Sequence, residues 1–189
     1  NEAECAQRGI DLQAAAQAAQ AITELIATGT PTQAAQANMY AMMCRYDLID
    51  EFMKVEIGER MAGLDYTFTR VDLDAFFTRF QVEHADAAKW ADSTIVRIKS
   101  TVMGCLLQVG LLAPRSEDLH PVFLDPDLQD AIEALGDTAA IQAFTGQRCS
   151  YGNQSPNTRR ACPRGLEHRC QVFRERLAQP DFLANKGIG

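Results

Sequence analysis

Between Thr30 and Gly63 apolar side chains return every three or four positions. Tyr40, Cys44, Leu48, Phe52 and Val55 form one stripe, and Met39, Met43, Ile49 and Met53 widen it. A 3.6-residue repeat lines one face of a helix and cannot be seated on a strand, whose faces alternate. A start signal precedes it, with Thr30 as cap, Pro31 in the first turn and Gln33 three residues on. The spacing predicts one long helix over residues 31–61, bent or split at Gly58 and ended by Gly63. Asp50 with Lys54 and Glu56 with Arg60 are acid-then-base pairs four apart, expected on its outer side.

The same punctuation recurs along the chain. Asp11 is the expected cap of a helix reaching Ala27, with Gly29 in the left-handed position after it. Thr69 caps a helix carrying Leu73, Phe76, Phe77 and Phe80. A turn with Trp90 follows, and Asp92 or Ser93 caps a helix that Gly110 ends. Its inward stripe is Ile95, Ile98, Val102, Leu106 and Val109, which Trp90 and Phe76 are expected to join in one core. Residues 114–121 read as loop. Asp125-Pro126 opens a helix with Leu128, Ile132 and Leu135 inside and Gly136 behind it, and residues 137–144 form a last short one. The expected architecture is all-α: a helical bundle over residues 1–146, with a possible short β wing near residues 121–124. Residues 147–189 are expected as a basic loop plus one amphipathic helix carrying Leu166, Cys170, Phe173 and Leu177.

Charge is unevenly placed. The chain carries −7 overall, yet residues 145–178 hold seven arginines against Glu167 and Glu175, a local +5 that leaves −12 elsewhere. No apolar run approaches the ~20 residues of a membrane-spanning helix, and no signal peptide is visible. The six cysteines are too few to scaffold a chain of 189 residues. Cys44 and Cys105 fall in apolar helical stretches, where a thiol behaves as a small hydrophobe. These features point to a cytoplasmic protein. The chain opens on Asn1 rather than Met, as expected of a sequence lacking an upstream piece.

Candidate chemistry concentrates in residues 90–112. Thr94, Arg97, Thr101 and Gln108 share the polar face of the helix that begins near Ser93, with Lys99 and Ser100 at its margin. Arginine and lysine bind phosphates or guanine edges, and small hydroxyls permit close approach. With the preceding helix and turn, this reads as helix-turn-helix character whose second helix faces duplex DNA. The same residues also fit an amphipathic core helix with a solvated face. Arg159, Arg160 and Arg164, among the tail arginines, could follow a phosphate backbone, dock on an acidic body, or belong to a segment of non-native composition such as a shifted reading frame gives.

Other chemistry finds little support. Cys149, Cys162, His168 and Cys170 lack the paired knuckles of structural zinc sites, so no metal is expected; a Cys149–Cys162 disulfide is disfavoured in cytoplasm. His84, His120 and His168 lie far apart, and no nucleotide-loop, esterase or zinc-protease motif occurs. Asp125, Asp127 and Asp130 fit a capped helix start better than a calcium loop. The expectation is a protein that is not an enzyme and holds no cofactor.

Three segments resemble the BrxA family of bacterial BREX phage-defence systems, proteins once labelled as inner-membrane. They are the helix with Tyr46 to Phe52, the W-x-[DE]-S-T helix from Trp90 that ends in Gly110-Leu111-Leu112, and L-x-P-x-x-L-x-P from Leu119 to Pro126, closed by Gly136-Asp137 and Phe144. The likeness spans residues 22–146. It implies an all-helical protein with helix-turn-helix character, reminiscent of NusB-like bundles. It also implies double-stranded DNA as a partner, and service beside a methyltransferase, an ATPase and a phosphatase-like subunit. It brings no catalytic residues. It further implies that the family's N-terminal helical region is shortened here, and residues after Gly146 find no counterpart. The expected nucleic-acid-binding set is therefore Ser93, Thr94, Arg97, Lys99, Ser100, Thr101, Arg159, Arg160 and Arg164. The alternative is a protein-interaction adaptor without direct DNA contact.

Overall fold

The Thr30 start signal folds as its spacing requires. Gln33 N–H donates to Thr30 Oγ1 at 3.4 Å, and Thr30 N–H donates to Gln33 Oε1 at 2.8 Å, a complete capping box. The computed structural model describes residues 12–147. The expected Asp11 cap, the tail arginines and the Cys149–Cys170 set lie outside the described residues. The elements are α1 (Leu12–Thr28), α2 (Pro31–Arg45), α3 (Asp47–Glu51), a π-helical turn (Phe52–Ile57) and α4 (Gly58–Ala62). There follow α5 (Arg70–Glu83), a 3-10 turn (Ala87–Lys89), α6 (Asp92–Val109), α7 (Pro126–Leu135) and α8 (Thr138–Thr145). The described chain is mostly helical, as its stripes require.

The long helix expected over residues 31–61 is broken twice. Tyr46 is extended, at φ −127° and ψ 115°, which separates α2 from α3. The π turn then spreads its residues over a wider circuit than an α turn and shifts the phase of the stripe. That shift corrects two expectations. Val55, expected inside, is 39% exposed, while Ile57 and Met61 are buried. Lys54, expected outside, turns inward.

Gly110, Gly136 and Gly146 end their helices at φ 88°, 73° and 66°, the left-handed conformation glycine adopts without steric cost. Gly29 does not take the left-handed form expected of it. Its value lies in space, since a Cβ there would collide with the Leu25 carbonyl. The cap of α6 also differs. Ala91, at ψ 149°, precedes the helix without a side-chain hydrogen bond, and Asp92 and Ser93 lie within its first turn.

α1 packs on α2 and α7, α2 also carries α6, and the π turn and α4 pack on α8. Phe52, Phe68, Phe76 and Phe77 fill the core, with Phe52 edge-on to Phe76 at 5.1 Å and to Phe68 at 5.7 Å. Val102 and Leu106 are buried with them, whereas Trp90, Ile95 and Ile98 pack half-buried at the edge.

The expected β wing at residues 121–124 is not formed. Antiparallel bridges pair Thr67 with Asp118 and Leu112 with Leu119 instead. Residues 121–125 find other partners. Gln36, 3% exposed, donates through Nε2 to Phe123 O at 2.9 Å and accepts from Asp125 N–H at 3.0 Å, while Val122 N–H donates to Phe144 O at 2.9 Å. A buried side-chain amide thus does what a neighbouring strand would do.

Candidate nucleic-acid interface

The outer face of α6 is built by its inner one. Val102, Leu106 and Val109 are buried, which turns Ser93, Thr94, Arg97, Ser100 and Thr101 to solvent. The structure brings these five together on one exposed face. Thr101 Oγ1 donates to Arg97 O at 3.0 Å, so that hydroxyl serves the helix backbone while its oxygen stays open to a donor. The Arg97 guanidinium enters no ion pair among the described residues. Gly104 continues the face one turn further, and a Cβ there would meet nothing.

Lys99 does not join this set. Its Nζ lies 2.7 Å from Asp74 Oδ1 and 5.2 Å from the centre of the Phe77 ring, both on α5. Lys99 therefore works as a tie between α5 and α6. His84 is similarly occupied, stacked on Phe80 with ring centres 3.9 Å apart. Trp90 lies on Phe80 as well, at 6.1 Å, and anchors the end of the α5–α6 connection. That connection, residues 84–91, is longer than the three or four residues of a compact helix-turn-helix.

Internal ion pairs consume much of the positive charge. Lys54, Arg60, Arg79, Lys89 and Lys99 are all paired with carboxylates. Arg45, Arg70, Arg97 and Arg115 have no such partner among the described residues; Arg45 lies over the Tyr46 ring, and the other three lie within residues 66–120. That stretch holds six cations and seven carboxylates, a net −1, whereas the other described residues carry −9. Most of the net negative charge of the described residues thus belongs to residues 12–65 and 121–147. Arg115 was not among the expected site residues, although Pro114-Arg115 between Leu111-Leu112 and Leu119 was a signal for a tight reversal.

Two further features escaped the sequence. Lys54 Nζ reaches Asp50 Oδ1 at 2.7 Å and Asp137 Oδ2 at 3.0 Å, and Asp137 is 2% exposed. Asp137 Oδ1 also accepts from Ala140 N–H at 3.2 Å, which caps α8. Burial works to lower the Lys54 ammonium's pKa, but Asp137 and Asp50 outweigh it and hold it above its usual range; burial pushes the Asp50 carboxyl up. With both carboxylates engaged by one ammonium, this triad is a structural lock. The other feature is Phe123, 93% exposed on the backbone that Gln36 clamps.

The fold defines a helical protein in which two consecutive helices are framed by short bridged segments and present one polar face. The BrxA family model matches residues 8–136, and the chain belongs to the BrxA family. Membership implies a role in BREX phage defence. Comparisons with curated proteins and with solved structures give no match. No helix among the described residues is long and apolar enough to cross a membrane.

Proposed function

We propose that this chain is a non-enzymatic DNA-binding accessory protein of a BREX complex, working in the cytoplasm beside that system's methyltransferase, ATPase and phosphatase-like subunit. The observation that carries the reading is the open face of α6. Arg97 stands unpaired there, among the hydroxyls of Ser93, Thr94, Ser100 and Thr101. In helix-turn-helix proteins the early residues of the second helix meet base edges in the major groove. Arginine suits guanine, and small hydroxyls serve either bases or phosphates. The acidic remainder weakens association of the isolated chain, so a partner subunit or low salt favours it.

The test is fluorescence anisotropy of the full chain on a labelled duplex across a salt series. Arg97→Ala should weaken binding at every salt concentration without changing the melting temperature. Lys99→Ala should leave the slope of log affinity against log salt nearly unchanged, because Asp74 already neutralises that charge. Equal losses from the two variants would contradict the assignment.

An adaptor role is the second reading, and Phe123 favours it. A ring 93% exposed on a clamped backbone is pre-ordered for a partner's apolar pocket. Such a surface would bind a protein subunit in the absence of DNA, and Phe123→Ala would abolish that association while leaving any DNA affinity intact.

A further inference from the structure

The two bridges carry an arrangement beyond the α6 face. Chain order runs from an extended segment at Thr67, through α5 and α6, to a reversal over residues 111–120. Within that reversal Leu112 bridges Leu119, and His120 N–H donates to Leu111 O at 2.9 Å. The returning arm is also joined to the first segment. Thr67 bridges Asp118, Phe68 N–H donates to Glu117 O at 2.7 Å, and Leu119 N–H donates to Tyr66 O at 2.6 Å. The returning arm is thus central, flanked by the segment before α5 and the segment after α6. Extended segment, helix, helix and hairpin in that order form a unit in which the hairpin follows directly on the second helix.

At the tip, Arg115 is exposed and left-handed at φ 64°, a conformation an arginine adopts only at a cost. It has no ion pair among the described residues. The antiparallel register that sets Thr67 against Asp118 and Phe68 against Glu117 runs on toward Arg70 and Arg115. Arg70, at the start of α5, and Arg115, in the turn, each lie three residues beyond the Thr67–Asp118 bridge. Asp72 and Asp74 lie on the helix that Arg70 opens, and Glu117 and Asp118 on the hairpin. Asp118 Oδ2 accepts from Ser116 Oγ at 2.9 Å, which fixes its carboxylate on the hairpin, and Asp118 and Glu117 both oppose the Arg115 charge.

We propose that residues 111–120 are a wing, and that Arg115 at its tip, with Arg70 at the start of α5, grips the phosphate backbone of duplex DNA outside the groove that α6 enters. The inference rests on the DNA-binding reading above and adds a second, sequence-independent contact to it. Phosphate contacts set register and orientation, while base contacts specify. A wing contact would fix the angle at which Arg97 meets the bases.

The experiment is the same anisotropy salt series, run on the full chain with a labelled mixed-sequence duplex. Arg115→Gly removes the side chain and suits the left-handed backbone, so the fold is kept. Each phosphate contact contributes about 0.9 to the slope of log affinity against log salt. Arg115→Gly should therefore shrink the ratio of affinities at ~50 and ~200 mM salt by about three- to fourfold. Arg70→Ala should do the same, and Arg115→Lys should keep most of the wild-type slope. An unchanged slope in Arg115→Gly, with Arg97→Ala still weakening binding, overturns the wing contact and leaves the α6 reading standing. A wild-type chain that binds no duplex at any salt overturns both.

Discussion

Single residues here show where local rules are obeyed and where one is broken. Leu64 follows α4 at φ 58°, with Asp65 N–H donating to Arg60 O at 2.9 Å and Leu64 N–H to Met61 O at 3.2 Å. This is the hydrogen-bond pattern that elsewhere in the chain ends on glycine. The glycine sits one position early, at Gly63, where φ is −84°. Leu64 is 73% exposed, so its side chain returns little for the strain. Leu64→Gly should raise stability by about 1 kcal/mol in chemical denaturation, since the left-handed penalty for a non-glycine residue is of that order. Asp72 obeys its rule. Its carboxylate accepts from Thr69 N–H at 2.8 Å and Thr69 Oγ1 at 2.7 Å, and meets Arg60 Nη2 at 2.8 Å. The Thr69 hydrogen bonds, with Arg60 behind them, hold its pKa below the usual 3.8. A depressed carboxylate contributes stability that is present above the unfolded value and lost as pH falls through the folded one. Asp72→Ala should cost about 1 kcal/mol at pH 7 and make the acid limb shallower below about pH 4.

At the scale of elements, legibility followed the length over which a pattern repeats. Helix starts at Thr30, Thr69 and Asp125 and stops at Gly110 and Gly136 were readable because caps act within a few residues. The break at Tyr46 and the π turn were not, because the apolar stripe runs through both and only the phase shift separates Val55 from Ile57. The ribbon was misplaced because bridges of single residues leave no alternating pattern. The polar face of α6 was legible from its spacing. That Lys99 leaves it was not, since the decision lies with Asp74 on another helix. The lock between the π turn and α8 carries the clearest energetic consequence. Removing Lys54 leaves the buried Asp137 and the partly buried Asp50 without their shared cation, and breaking a buried pair in this way costs about 3–5 kcal/mol. Lys54→Met should therefore lower the denaturation midpoint strongly. It should also regain stability on acidification. With its cation gone, Asp50 is raised further, and a raised carboxyl favours the fold below its pKa and loses that contribution as pH climbs through it. Loss confined to a few tenths of a kcal/mol would mean that water replaces the ammonium.

For the whole molecule the deciding quantity is where positive charge is free to act. Two places are candidates on the proposed reading: the α6 face with its hairpin, and, outside the described residues, the arginine-rich sequence that holds Arg159, Arg160 and Arg164. Screening at physiological salt falls off over about 8 Å, so charges further apart than that contribute to DNA affinity nearly independently, and a cycle of variants measures whether the two groups do. Distant, independent sites add in free energy. Replacing the three tail arginines with alanine should then lower the salt slope by up to about 2.7, at roughly 0.9 per phosphate contact. Arg97→Ala should act on top of that by a similar further factor in either background. The combination to measure is a double cycle of Arg97→Ala with the triple tail variant, read as anisotropy on mixed-sequence duplex and on a duplex varied at single positions. Tail variants should weaken all duplexes alike, because phosphate contacts carry no sequence. Arg97→Ala should flatten discrimination at one position by about 1–3 kcal/mol, because a bidentate base contact does. If the triple variant abolishes binding and Arg97→Ala then changes neither affinity nor discrimination, the tail alone carries the contact and the exposed face of α6 is a solvated helix surface.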